Sequence, residues 1–155
     1  MNQFHFHFHY HNHYICKIME KITELQQFLA EPKNIVITTH QKPDGDAMGS
    51  SLALYNYLQP LGHNVRVISP TEYPHYFGYL ANCDEVWNYL ENPNLSHIAI
   101  EEADLICCLD FNDLARIEPL DESIKKNTKA KLLLLDHHLF PKIDAEWQLH
   151  DTKAS

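Results

Sequence analysis

Three short apolar runs, each closed by an acid or a histidine, limit most narrowly what this chain can fold into. Ala103-Asp104-Leu105-Ile106-Cys107-Cys108-Leu109 is almost wholly apolar and stops at Asp110. Ile35-Val36-Ile37-Thr38-Thr39 runs into His40, and Leu132-Leu133-Leu134-Leu135 runs into Asp136-His137-His138. Runs of this length without polar alternation suit strands covered on both faces, the condition of a parallel sheet flanked by helices. Ligands of such sheets collect outside the carboxyl ends of the strands. The residues that close the three runs are therefore predicted to meet along one sheet edge.

The segments between the runs supply crossover helices. Ile15, Ile18, Ile22, Leu25, Phe28 and Leu29 recur at helical spacing, which predicts an amphipathic helix over 15–29, ended by Glu31-Pro32. A second helix is predicted over 47–61, with Leu52, Leu54, Tyr55 and Leu58 inward and Gly62 as its stop. Strands are expected at 34–39, 65–68, 103–109 and 132–135, with a short one at 85–87. A short aromatic helix at 76–80, a helix at 95–102 and a helix over 112–127 broken at Pro119 complete the pattern. Strand alternating with helix means a right-handed parallel α/β sheet.

At 155 residues the chain has room for one compact domain, since two would need about twice that length. The formal charge of −9 argues against a broad groove that tracks the phosphates of long nucleic acids. Small or short anionic substrates remain compatible, because bound divalent metal would neutralise part of that charge. No apolar stretch approaches the ~20 residues of a membrane span, and the Met1 end lacks the order of a secretory signal, so a cytoplasmic location is expected. Of the four cysteines, Cys16, Cys83, Cys107 and Cys108, none forms a CxxC pair, and a structural role is expected for them. Residues 1–14 alternate His5, His7, His9, His11 and His13 with mostly aromatic residues. This reads as a disordered low-complexity extension. His63, His75, His97 and His150 belong to no run end and are expected on the solvated surface.

The chemistry lies at the run ends. His40, Asp44 and Asp46 share the loop His40-Gln41-Lys42-Pro43-Asp44-Gly45-Asp46, with Gly45 expected to let the chain turn so that both carboxylates face inward. Gly49-Ser50-Ser51 is expected to open the following helix, whose amino end favours anions and whose hydroxyls at Ser50 and Ser51 are candidates for phosphate binding. A mixed carboxylate and imidazole set suits manganese, with magnesium as substitute, better than a thiolate-preferring metal. A dinucleotide-binding redox module is excluded, because no GxGxxG turn follows the first strand.

With its three motifs in this order, the chain resembles the DHH phosphoesterase family over roughly residues 20–155, in particular the branch of oligoribonucleases and phosphoadenosine-phosphate phosphatases. The resemblance implies a Rossmann-like parallel α/β catalytic domain holding two manganese ions. His40 and Asp44 would hold one ion, Asp46 and His137 the other, and Asp110 would bridge them. His138 would touch substrate as proton donor or positive group, and Asp136 would orient a neighbouring imidazole. Two such ions support in-line displacement at phosphorus. The implied substrates are short oligoribonucleotides and 3′-phosphoadenosine 5′-phosphate, with a homodimer compatible with the reading.

Members of the family carry a fourth aspartate motif and a DHH-associated second domain after the third motif, and neither occurs within 15–155. The expectation is therefore an amino-terminal portion of such an enzyme, impaired in turnover, with Asp151 a poor candidate for the fourth ligand. Competing readings are a catalytically silent metal-binding fragment, a cyclic- or linear-dinucleotide phosphodiesterase, a single-strand DNA exonuclease, or a pyrophosphatase on the same core.

Overall fold

The computed structural model describes residues 19–153, so the expectations for the His-rich stretch and for Cys16 lie outside the described residues. The chain divides into one unit that ends at Glu31 and another from Pro32 onward. In the first, residues 19–28 form a helix, α1, which covers the described part of the amphipathic stretch.

The second unit is a parallel α/β domain. Its strands are β1 (Asn34–Thr38), β2 (Asn64–Ser69), β3 (Trp87–Asn88), β4 (Leu105–Leu109), β5 (Lys131–Asp136) and β6 (Trp147–His150). They form one sheet in the order β3-β2-β1-β4-β5-β6, and every pair is parallel. The order reverses between β1 and β4, the two most central strands, which makes the gap beyond their carboxyl ends the topological switch point. β4 is buried along its whole length, as its unbroken apolar run requires.

Helices α2 (Gly45–Leu58), α3 (Pro93–Glu102) and α4 (Asp121–Lys126) cover the sheet. Alternate strand residues divide between its two faces. Val36, Ile68, Ile106, Cys108 and Leu134 join Ile100 of α3, Ile124 of α4 and the loop residues Phe111, Ile117 and Leu120 in one apolar cluster. α2, which contacts β1, β2 and β4, buries Ala47, Met48, Leu52, Tyr55 and Leu58. The predicted broken helix is a 3-10 turn at Leu114–Ile117 followed by α4, with Pro119 between them.

Several details depart from the sequence reading. α2 begins at Gly45, because Asp44 caps it by accepting from the Asp46 and Ala47 N–H groups. Gly49, Ser50 and Ser51 thus sit inside the helix and do not open it. Gly62 is the only glycine with positive φ among the described residues, so Gly45 occupies the first helical position in an ordinary conformation. β6 has no counterpart in the predicted strands, because Trp-Gln-Leu-His has neither an apolar run nor a strong β-branched signal. His63 is buried, not solvated, with Nδ1 accepting the Lys33 N–H at 3.2 Å.

Candidate metal centre

Strand register assembles the site. Thr38 pairs with Cys108, so His40 and Asp110, each two residues further on, emerge side by side. Leu109 pairs with Leu135, which sets Asp110 beside Asp136. Asp110 adopts φ +62 and donates its N–H to Leu135 O at 3.0 Å. A left-handed backbone at a non-glycine residue costs on the order of 1–2 kcal/mol, and aspartate tolerates it better than most residues. The strain lies on the residue at the centre of the cluster.

Asp110 is 7% exposed and presents its two carboxylate oxygens to different partners. Oδ2 lies 3.6 Å from His40 Nε2, which is itself 3.9 Å from Asp44 Oδ1. Oδ1 lies 3.3 Å from His137 Nε2 and 3.6 Å from His138 Nδ1. His137 Nδ1 in turn is 3.8 Å from Asp46 Oδ2. The structure thus brings together His40, Asp44, Asp46, Asp110, His137, Asp136 and His138. Two groups, His40-Asp44-Asp110 and Asp110-His137-His138, have ligand atoms spaced closely enough to share an ion, and both contain Asp110.

Hydrogen bonds fix two imidazoles. His40 Nδ1 contacts Gln41 O at 2.7 Å, and a carbonyl only accepts, so Nδ1 carries a proton and Nε2 is the nitrogen turned towards Asp44 and Asp110. The Asp110 carboxylate, 3.6 Å from Nε2, raises the His40 pKa above its ordinary value, against an opposing effect of burial. His138 Nδ1 meets Asp136 Oδ1 at 2.8 Å, and its Nε2 meets Arg116 Nη1 at 3.0 Å. A carboxylate accepts and a guanidinium only donates, so His138 is a neutral ring with its proton on Nδ1. In this arrangement it is not a positive group, and its Nε2 lone pair faces the arginine. Asp136, with its side chain fully buried, holds that ring through one oxygen, while Oδ2 has no hydrogen-bond partner.

The donor set fits divalent ions that accept oxygen and imidazole nitrogen. Among the described residues no thiol joins the cluster, and Cys107 and Cys108 are fully buried in β4. Two buried carboxylates, Asp110 and Asp136, beside the more exposed Asp44 and Asp46 concentrate negative charge that a cation would compensate. The serines differ from expectation. Ser51 is 0% exposed and cannot contact a ligand outside the core, and the half-buried Ser50 donates to Ala47 O at 3.3 Å. Helical periodicity accounts for this, since Ser51 falls on the face that carries Ala47, Leu52 and Tyr55 inward.

Sequence reading passed over Arg116. The only signal was a lone arginine shortly after Asp110, in a segment with no motif of its own. The 3-10 turn at Leu114–Ile117, capped by Asp113 through Ala115 N, carries it back over the strand ends. There Gln41 N–H donates to Arg116 O at 2.8 Å and ties the turn to the loop after β1.

Fold and cluster define a class: a parallel α/β domain with paired imidazole and carboxylate sites sharing one aspartate at the switch point. Within that class the chain belongs to the DHH family, whose N-terminal domain matches residues 34–155. Solved structures that resemble it include an exopolyphosphatase-related protein from Bacteroides fragilis, with a TM-score of 0.84 and 31% identity. That match covers 88% of this chain and 40% of the other, so the chain spans less than half of that relative. No curated protein matches. No helix among the described residues is long and apolar enough to cross a membrane.

Proposed function

We propose that this domain carries out metal-dependent hydrolysis of phosphoesters. The observation that carries the reading is the division of Asp110, one oxygen towards His40 and the other towards His137 and His138. His40 and Asp44 would hold one divalent ion, Asp46 and His137 a second, and Asp110 both. Such ions supply Lewis acidity at the phosphoryl group and an activated water. The chain's own contribution is orientation. Gln41 O fixes the His40 ring, Asp136 fixes His138, and the left-handed turn at Asp110 lifts its carboxylate between the two imidazole groups.

The substrates proposed are short oligoribonucleotides and 3′-phosphoadenosine 5′-phosphate, with manganese as the preferred ion. A second reading draws on the Bacteroides fragilis relative, described as exopolyphosphatase-related, and assigns the terminal phosphoanhydride of inorganic polyphosphate as substrate. Manganese titration by calorimetry, followed by incubation with a diadenylate and with polyphosphate, tests both. Asp110→Ala is expected to lose both manganese events. Retention of two wild-type-like events in that variant would remove the shared carboxylate from the mechanism. Release of AMP supports the first substrate class, and release of phosphate from polyphosphate supports the second.

A further inference from the structure

We propose that Arg116 is a ligand for a phosphoryl oxygen of the substrate, held ready beside the metal ligands. The inference rests on the phosphoester reading and adds a substrate contact to it. Arg116 is half-buried, and its charge acts on His40 and Asp44, which places the guanidinium within electrostatic reach of the cluster. Asp44, Asp46, Asp110 and Asp136 all gather there, yet among the described residues Arg116 makes no ion pair with any carboxylate. Its Nη1 is given to the neutral His138 Nε2 at 3.0 Å, so the guanidinium sits near the carboxylates without pairing directly with any of them. A guanidinium has five N–H donors in a planar fork, a shape matched to two oxygens of a phosphoryl group.

The backbone under Arg116 is anchored as a binding residue requires. Its carbonyl accepts from Gln41 N–H at 2.8 Å, its N–H donates to Asp113 O at 3.0 Å, and the next residue, Ile117, is fully buried. Little backbone entropy is then left to lose when an oxyanion arrives. The simpler alternative is that Arg116 only orients His138. The two differ in what should be lost when the guanidinium is removed.

The test uses the full chain with manganese and measures binding of adenosine 5′-monophosphate by calorimetry, with adenosine as the probe lacking phosphate. Manganese affinity is measured separately by electron paramagnetic resonance. Arg116→Gln is expected to weaken the monophosphate by about 10–100-fold, the effect of losing a charge-assisted hydrogen bond, with manganese and adenosine binding unchanged. Arg116→Lys, which keeps the cation but not the fork, should fall between, and it carries the same test if the glutamine variant does not fold. Equal monophosphate affinity in wild type and variant overturns the assignment while leaving the phosphoester reading intact. A parallel loss of manganese overturns it as well, since Arg116 would then be holding the cluster together. Wild type that binds manganese but no monophosphate at millimolar concentration overturns both readings.

Discussion

Replacing Asp44 by alanine removes a helix cap and a metal-facing carboxylate at once, and the asparagine variant separates the two. Asp44 Oδ1 accepts from Asp46 N at 3.0 Å and Ala47 N at 3.1 Å, while lying 3.9 Å from His40 Nε2. Loss of such a cap costs about 1 kcal/mol, within a range of about 0.5–2. For a chain of this size that lowers Tm by about 2–4 °C per kcal/mol. Asparagine keeps the acceptor oxygen and loses only the attraction of a full charge to the helix terminus. With the Asp44 side chain 66% exposed, this should cost near the low end of the effect, about 0.3 kcal/mol. Urea unfolding in a chelator should therefore rank wild type just above Asp44→Asn, with Asp44→Ala clearly below. Manganese titration should rank them differently, with both variants well below wild type. The N–H of Ala47 is the main cause holding the Asp44 carboxyl below its ordinary value. The cap's contribution is therefore present above the unfolded carboxylate pKa and is lost as pH falls through the lower folded value. Equal stability of the two variants in chelator would refute the capping argument. Wild-type manganese binding by Asp44→Asn would refute the ligand role.

Burial and the nearby Lys33 push the His63 pKa down, so its contribution to stability is full above the unfolded value near 6.5 and shrinks as pH falls below it. The stability gap between wild type and His63→Asn, measured by urea unfolding at pH 8 and pH 5.5, should narrow at the lower pH, and a constant gap would count against that account. Burial raises the thiols of both strand cysteines, Cys108 to about 12. In a background with Cys16→Ser and Cys83→Ser, a thiol-specific disulfide reagent should react with Cys107 and Cys108 only after denaturation, and rapid labelling of native protein would contradict their place in β4.

Asp110, Asp136 and His40 could be located from sequence because a buried parallel strand must be apolar along its length. The first ionisable residue after such a run marks the carboxyl end, where this architecture collects its ligands. The α/β class, the break at Pro119 and the meeting of three motifs on one edge follow from that logic without coordinates. β6 escaped it because four residues at a sheet margin, with Gln148 and Leu149 exposed, need no apolar run. Strand pairing decided what lies beside what. Only the registers Thr38 with Cys108 and Leu109 with Leu135 set His40, Asp110 and Asp136 abreast. Helix phase turned Ser51 into the core, and chain packing buried His63 against Lys33. The contact of Arg116 with His138 joins residues from two loops whose separation in sequence carries no record of it. Apolar periodicity is a local property and is written in the sequence, whereas the neighbours of a polar side chain depend on how distant segments pack, and that exists only in the folded chain.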